Sequence, residues 1–200
     1  MMGTSRLEAF SDGVLAIIIT IMVLDLKVPH DTSLIALWPL FPVFLGYLLS
    51  FMYIGIYWNN HHHMLHVTKQ VSGPILWANL HLLFWLSLVP FVTAWMGENN
   101  FAPVPTAFYG IVLLMAASAY WILERAIMAE QGPHSLLRVA IGADIKGKLS
   151  LLFYAIAVPS AFFYQWIAGA VYIGVALMWL IPDRRIERVI TKRNMKTDDR

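Results

Sequence analysis

The sequence contains no cysteine and little charge, and each scarcity excludes a class of protein. Without cysteine there is no disulfide, no thiolate metal site and no cysteine nucleophile, and the redox compartment stays undetermined. Asp, Glu, Lys and Arg make up only 13% of the 200 residues, about half the ~25% of an ordinary soluble domain. They are missing altogether from Thr32 to Met64, from Val71 to Met96 and from Leu149 to Pro182. No H-E-x-x-H, phosphate loop or Ser/His/Asp pattern is present, so an enzyme is not expected. No cofactor is expected either. Nor is there a signal peptide: Arg6, Glu8 and Asp12 interrupt the N-terminus and no small-residue cleavage site comes after them, so the first apolar segment is expected to stay in the mature chain. No period of 20–50 residues marks a repeat architecture.

What fills the space is apolar. Hydrophobic residues reach 59% and the mean hydropathy is +0.65, more than a water-soluble fold can hide. The uncharged stretches exceed the ~20 residues that a helix needs to cross a hydrocarbon core about 30 Å thick. They are continuously apolar rather than alternating over about ten residues, which favours helices over barrel strands. The sequence thus predicts an all-α integral membrane protein. Turn residues divide it into six spans, about 7–27, 36–60, 74–96, 104–128, 148–165 and 167–183. The punctuation is Pro29-His30-Asp31, Gly73-Pro74, Gly97-Glu98-Asn99-Asn100 and Gly132-Pro133, and the split near Gln165-Trp166 is the weakest.

Basic residues orient the spans, because cytoplasmic loops hold the excess. With the N-terminus inside, Lys27 alone of the fourteen Lys and Arg residues falls outside. Both termini are therefore expected in the cytoplasm, which requires an even number of spans. The tail from Arg184 to Arg200 reads as a positive-inside anchor rather than a nucleic-acid patch. Trp38, Trp58, Trp77, Trp95, Tyr120, Trp166 and Trp179 fall mostly near span ends, as an interfacial belt does.

The first span has a pattern of its own. With residues placed every 100° and Ile17 at zero, Arg6 and Leu24 lie at about −20°, Phe10 at about +20°, Gly13 at about −40° and Thr20 at about −60°. Asp12 lies about 140° away, off this stripe, and faces neighbouring helices. On periodicity alone the stripe fits plain helix packing as well as a pore wall.

The residues add more. Arg6-Leu7-Glu8-Ala9-Phe10-Ser11-Asp12 reads R-x-x-x-F-S-D ahead of an apolar span and resembles the signature of the transmembrane-protein-175 family of potassium channels. Leu24-Asp25-Leu26-Lys27-Val28-Pro29, Tyr57-Trp58-Asn59-Asn60-His61-His62 and Leu86-Ser87-Leu88-Val89-Pro90-Phe91-Val92-Thr93 are similar to that family too. The resemblance covers residues 6 to 98; beyond them only hydropathy matches. It implies a six-helix subunit, a homotetramer, and first helices lining a central pore. The family's apolar constriction falls at the fifth, eighth and twelfth positions after the Asp of F-S-D, here Ile17, Thr20 and Leu24. Phe10 and Gly13 continue the same stripe. The division expected is a six-helix transmembrane channel domain over 1–183 and a basic cytoplasmic tail over 184–200, in the cell (inner) membrane.

No T-V-G-Y-G carbonyl ladder is present, so selectivity needs another origin. Rings of Ile17 and Leu24 would gate by dewetting, and Thr20 hydroxyls would replace a few waters; K⁺, which sheds water more easily than Na⁺, is the expected permeant ion with modest preference. Arg6, Ser11 and Asp12 read as scaffold. Asp12 has candidate partners in Asn79, His81, Trp58 and the histidines just after Trp58.

Two rivals remain. His61-His62-His63-Met64-Leu65-His66 invites zinc, but no carboxylate or thiol accompanies it in the sequence, so a hydrogen-bonding role is preferred and no metal is expected. A proton- or cation-coupled secondary transporter would need ionisable residues near mid-membrane, and the polar set there is thin: Thr20, His81 and Ser87.

Overall fold

A computed structural model of the chain describes residues 3–132, 135, 137, 138, 142 and 144–180. Among them every regular element is helical: α1 (Thr4–Leu24), a 3₁₀ helix (Leu34–Leu40), α2 (Phe41–His66), α3 (Gly73–Ser87), α4 (Val89–Glu98), α5 (Pro103–Gln131), α6 (Ile145–Ser160) and α7 (Gln165–Leu180). The expected tail over 184–200 lies outside the described residues.

The helix ends obey local chemistry. Hydropathy predicts the second span from residue 36, yet α2 begins at Phe41 with Pro42 in its first turn. Proline is at home there because the first N–H groups have no intrahelical partner. The same helix runs on to His66, past the predicted end at residue 60, so the histidine run is helical. The third span is not one helix. Pro90 lacks an N–H and its ring crowds the carbonyl four residues back, and Leu88 N–H bonds instead to Trp85 O, three residues back. The helix restarts there as α4. Gly132, at φ +71°, closes α5, and Asp144 opens α6 by accepting from the Gly147 N–H at 3.1 Å.

Four stretches of the described chain are long and apolar enough to cross a membrane: Thr4–Leu24, Leu34–His66, Gly73–Glu98 and Pro103–Gln131. Within the described residues the last two helices hold 16 residues each, about 24 Å at 1.5 Å per residue, shorter than a full crossing. α5 is the hub, touching α3, α4, α6 and α7. Ala107, Tyr109, Leu113, Ala116, Ala119 and Leu123 on it are fully buried, and its alanines let helices approach where lipid removes the usual hydrophobic drive. Gly97 serves the same end between α4 and α2: a Cβ there would lie 2.7 Å from Val43 Cα. Tyrosines tie the far side together, Tyr53 donating to Tyr172 O at 2.6 Å, Tyr154 to the Tyr53 hydroxyl at 3.1 Å and Tyr172 to Thr106 O at 3.1 Å.

Candidate ion pathway

α1 has two faces. Leu7, Ser11, Leu15, Ile18 and Met22 recur every three or four residues and are buried against the rest of the chain. On the opposite side Arg6, Phe10, Gly13, Ile17, Thr20 and Leu24 are all exposed, Ile17 at 58% and Leu24 at 77%. An apolar helix face left uncovered by its own chain meets lipid or other copies. Open grooves flank the stripe: one of about 600 Å³ runs beside Ile17 and Ile21 to Pro90 and Phe91 of α4, and one of about 440 Å³ beside Phe10 to Trp77 of α3.

Within the stripe only Thr20 is polar between Gly13 and Leu24. Its hydroxyl donates to Ile17 O at 2.9 Å. That bond uses the proton and leaves the oxygen lone pairs free, which suits a cation.

Behind α1, polar groups pair across helices. Glu8 and Asp12 are four residues apart on α1, and Trp58 and His62 are four apart on the antiparallel α2. Asp12 Oδ1 accepts from Trp58 Nε1 at 3.1 Å, and Glu8 Oε1 lies 2.7 Å from His62 Nδ1. Deeper, Ser11 Oγ donates to Leu7 O at 2.8 Å and accepts from Asn79 Nδ2 at 3.0 Å, while Asn79 Oδ1 meets His61 Nε2 at 2.7 Å. This chain joins α1, α3 and α2 through buried groups, where an unmade hydrogen bond is costly.

The candidate partners of Asp12 therefore sort themselves. Trp58 is the partner; Asn79 binds Ser11 instead. His81 is not in the network, since its Nε2 accepts from Trp85 Nε1 at 2.9 Å on its own helix. Arg6 also stands apart: among the described residues its guanidinium has no hydrogen bond or ion pair, and it lines the groove beside Phe10 and Trp77. The carboxylate that the histidine run lacks in sequence is supplied in space by Glu8. The matched spacing of four on α1 and α2 is the signal in the sequence that points to this pairing. Among the described residues no three His, Cys, Asp or Glu side chains gather to hold a metal.

At the other end of α1, Lys27 Nζ meets Glu98 Oε1 at 2.8 Å and ties the loop after α1 to the end of α4. This bond raises the lysine above its ordinary value. Asp25 beside it is raised as well, by burial first and then by Glu98, with Lys27 opposing.

Comparison with known proteins places this arrangement. The family model described as endosomal/lysosomal potassium channel TMEM175 matches residues 6–90. A potassium channel of Chryseobacterium sp. is 57% identical over 187 residues, covering 94% of this chain and 97% of its own. A potassium channel of Chamaesiphon minutus is 36% identical over 141 residues, 64% of this chain and 68% of its own. The crystal structure of a lysosomal potassium-selective channel TMEM175 homolog from Chamaesiphon minutus superposes with a TM-score of 0.80 at 28% identity, over 90% of this chain and 97% of that one. From its signature at the start of α1 to the helices packed behind it, the chain belongs to the TMEM175 family.

Proposed function

We propose that this protein is a potassium channel subunit of the inner membrane with both termini cytoplasmic, and that four copies arrange α1 around a shared pore. The observation that carries the reading is the exposed stripe Ile17, Thr20 and Leu24 on the helix face opposite the buried one. The channel names of its relatives support the same activity. One α1 cannot enclose a pore, and closed rotational symmetry is the usual solution. The flanking grooves give a second copy surfaces to fill.

In this assembly Ile17 and Leu24 form rings of methyl groups that hold a conducting water column only when wide enough to stay wet. Thr20 sits between them and supplies oxygen lone pairs. With so few fixed ligands, discrimination rests on the cost of stripping water, so K⁺ passes in preference to Na⁺ by a modest factor. Ser11, Asn79, His61, Asp12 and Trp58 hold α1 at its angle and touch no ion.

Reconstituted protein under a K⁺/Na⁺ gradient tests this. The expected result is unitary cation currents whose reversal potential lies on the K⁺ side, and Thr20→Val or Ile17→Asn should alter selectivity or conductance with assembly intact. Equal passage of Na⁺ and K⁺, anion currents, or saturable proton-coupled flux without unitary events contradicts the reading, the last in favour of a secondary transporter.

A further inference from the structure

A second site lies inside the subunit, away from α1. Where α2, α5, α6 and α7 meet, a cavity of about 50 Å³ is lined by Tyr57, Asn60, Tyr120, Trp121, Glu124 and Trp179 among others. At ~10–15 Å³ for each water centre it has room for roughly three to five water-sized groups. Glu124 is only 7% exposed and lines this space. Among the described residues its carboxyl group makes no hydrogen bond and no ion pair. The Tyr57 and Tyr120 hydroxyls have no hydrogen-bond partner among those residues either. Nor does Asn60 Oδ1, whose amide nitrogen donates to Ile56 O at 2.8 Å.

The Glu124 carboxyl group, buried from the outer surface, faces this cavity and shares it with three further oxygens able to accept. Aromatic rings form much of the wall, and Tyr57 and Tyr120 meet edge to face at 6.0 Å. Two of the wall residues already carry cations, with the Arg125 guanidinium 5.0 Å from the Trp121 ring and the Lys146 ammonium 5.7 Å from the Trp179 ring. Asp144, at the start of α6, adds acidic charge to the lining.

We infer that this cavity binds a primary ammonium group, with its three N–H bonds shared among the oxygens of Glu124, Tyr57, Tyr120 and Asn60 and its alkyl stem against the aromatic walls. Carboxylate, amide and phenol oxygens all accept from N–H donors, and aromatic faces favour ammonium cations. The position suggests how the group arrives: Glu124 lies seven residues before the end of α5, about 10 Å along the helix, close to headgroup depth. The ammonium can therefore belong to a free amine or to the headgroup of an aminophospholipid.

The test uses the purified full chain in detergent. Ethylammonium chloride should raise the melting temperature above that in potassium chloride of equal ionic strength. Glu124→Gln should raise the half-maximal concentration by about tenfold or more, because a charge-assisted bond is lost. Tyr120→Phe should raise it by less, and Glu130→Gln on the exposed side of α5 should leave it unchanged. Native mass spectrometry with dioleoylphosphatidylethanolamine or dioleoylphosphatidylcholine separates the sources. Preferential retention of the ethanolamine lipid, lost in Glu124→Gln, identifies the headgroup; ethylammonium stabilisation without lipid preference identifies a free amine. Equal stabilisation by potassium chloride, no stabilisation at all, or unchanged binding in both Glu124→Gln and Tyr120→Phe overturns the inference. Should Glu124→Gln fail to fold, Tyr120→Phe decides between the same outcomes.

Discussion

α1 and α5 are both long apolar helices, yet they are used in opposite ways. α5 packs against four helices of its own subunit, with Leu113 fully buried, whereas α1 spends half its circumference on packing and leaves Ile17 and Leu24 uncovered. Composition does not distinguish them. What does is the kind of residue on the packed side: α5 presents alanines and a tyrosine to its neighbours, while α1 presents Ser11 and flanking carboxylates that pair with α2 and α3. Packing fixes α5 as a hub, and hydrogen bonds fix the rotation of α1. With its rotation set by one packed and hydrogen-bonded side, α1 leaves its other side uncovered by its own chain.

This contrast can be broken or sharpened by substitution. The largest effect should come from the hub. Leu113→Ala leaves a cavity among fully buried neighbours and should cost about 2–5 kcal/mol, read as a large fall in melting temperature of the detergent-solubilised protein. Next comes the network behind α1. Asn79→Ala strands Ser11 and His61 together and should cost about 1–3 kcal/mol, with channel opening disturbed more than selectivity. On the exposed stripe, Ile17→Ala should change stability by no more than about 0.5 kcal/mol while conductance changes clearly. Equal destabilisation by Leu113→Ala and Ile17→Ala would erase the difference between the two helices.

The smallest effect belongs to the exposed pair at the far end. Glu98 raises the Lys27 value, so the contribution of the pair is complete below the ordinary lysine range and fades only as pH climbs through the raised value. Melting between neutral and mildly alkaline pH should therefore be flat with respect to this group, and Lys27→Gln should lower it slightly at low salt and not at high salt.

Much of α1 is legible in the sequence. The rotation of 100° per residue is rigid, so Ile17, Thr20 and Leu24 share a face whatever else the chain does. The start of α2 is not legible, because Leu34 to Leu40 is as apolar as the helix itself and only Pro42 marks where the 3₁₀ turn gives way to the α-helix. The break at Leu88 is written in Pro90, although hydropathy runs through it without a dip. Partners between helices are the hardest to read. Which of Trp58, Asn79 and His81 meets Asp12 depends on the register of one helix against another, which hydropathy does not encode. Glu124 gives no signal in the sequence because a single acid near a helix end looks like an ordinary surface residue until its neighbours enclose it.

The absence of cysteine provides the most direct measurement. Ag⁺ is a small monovalent cation that binds thiolates, and the unmodified chain offers it none. Single substitutions Ile17→Cys, Thr20→Cys and Leu24→Cys, reconstituted and recorded in symmetrical K⁺ nitrate, should each be blocked by Ag⁺, whereas Leu15→Cys and Leu113→Cys on buried faces should not. Currents in all three stripe variants that ignore Ag⁺, or block that appears instead at the lateral positions Ala9, Ala16 and Val23, would contradict the claim that this stripe lines the ion pathway.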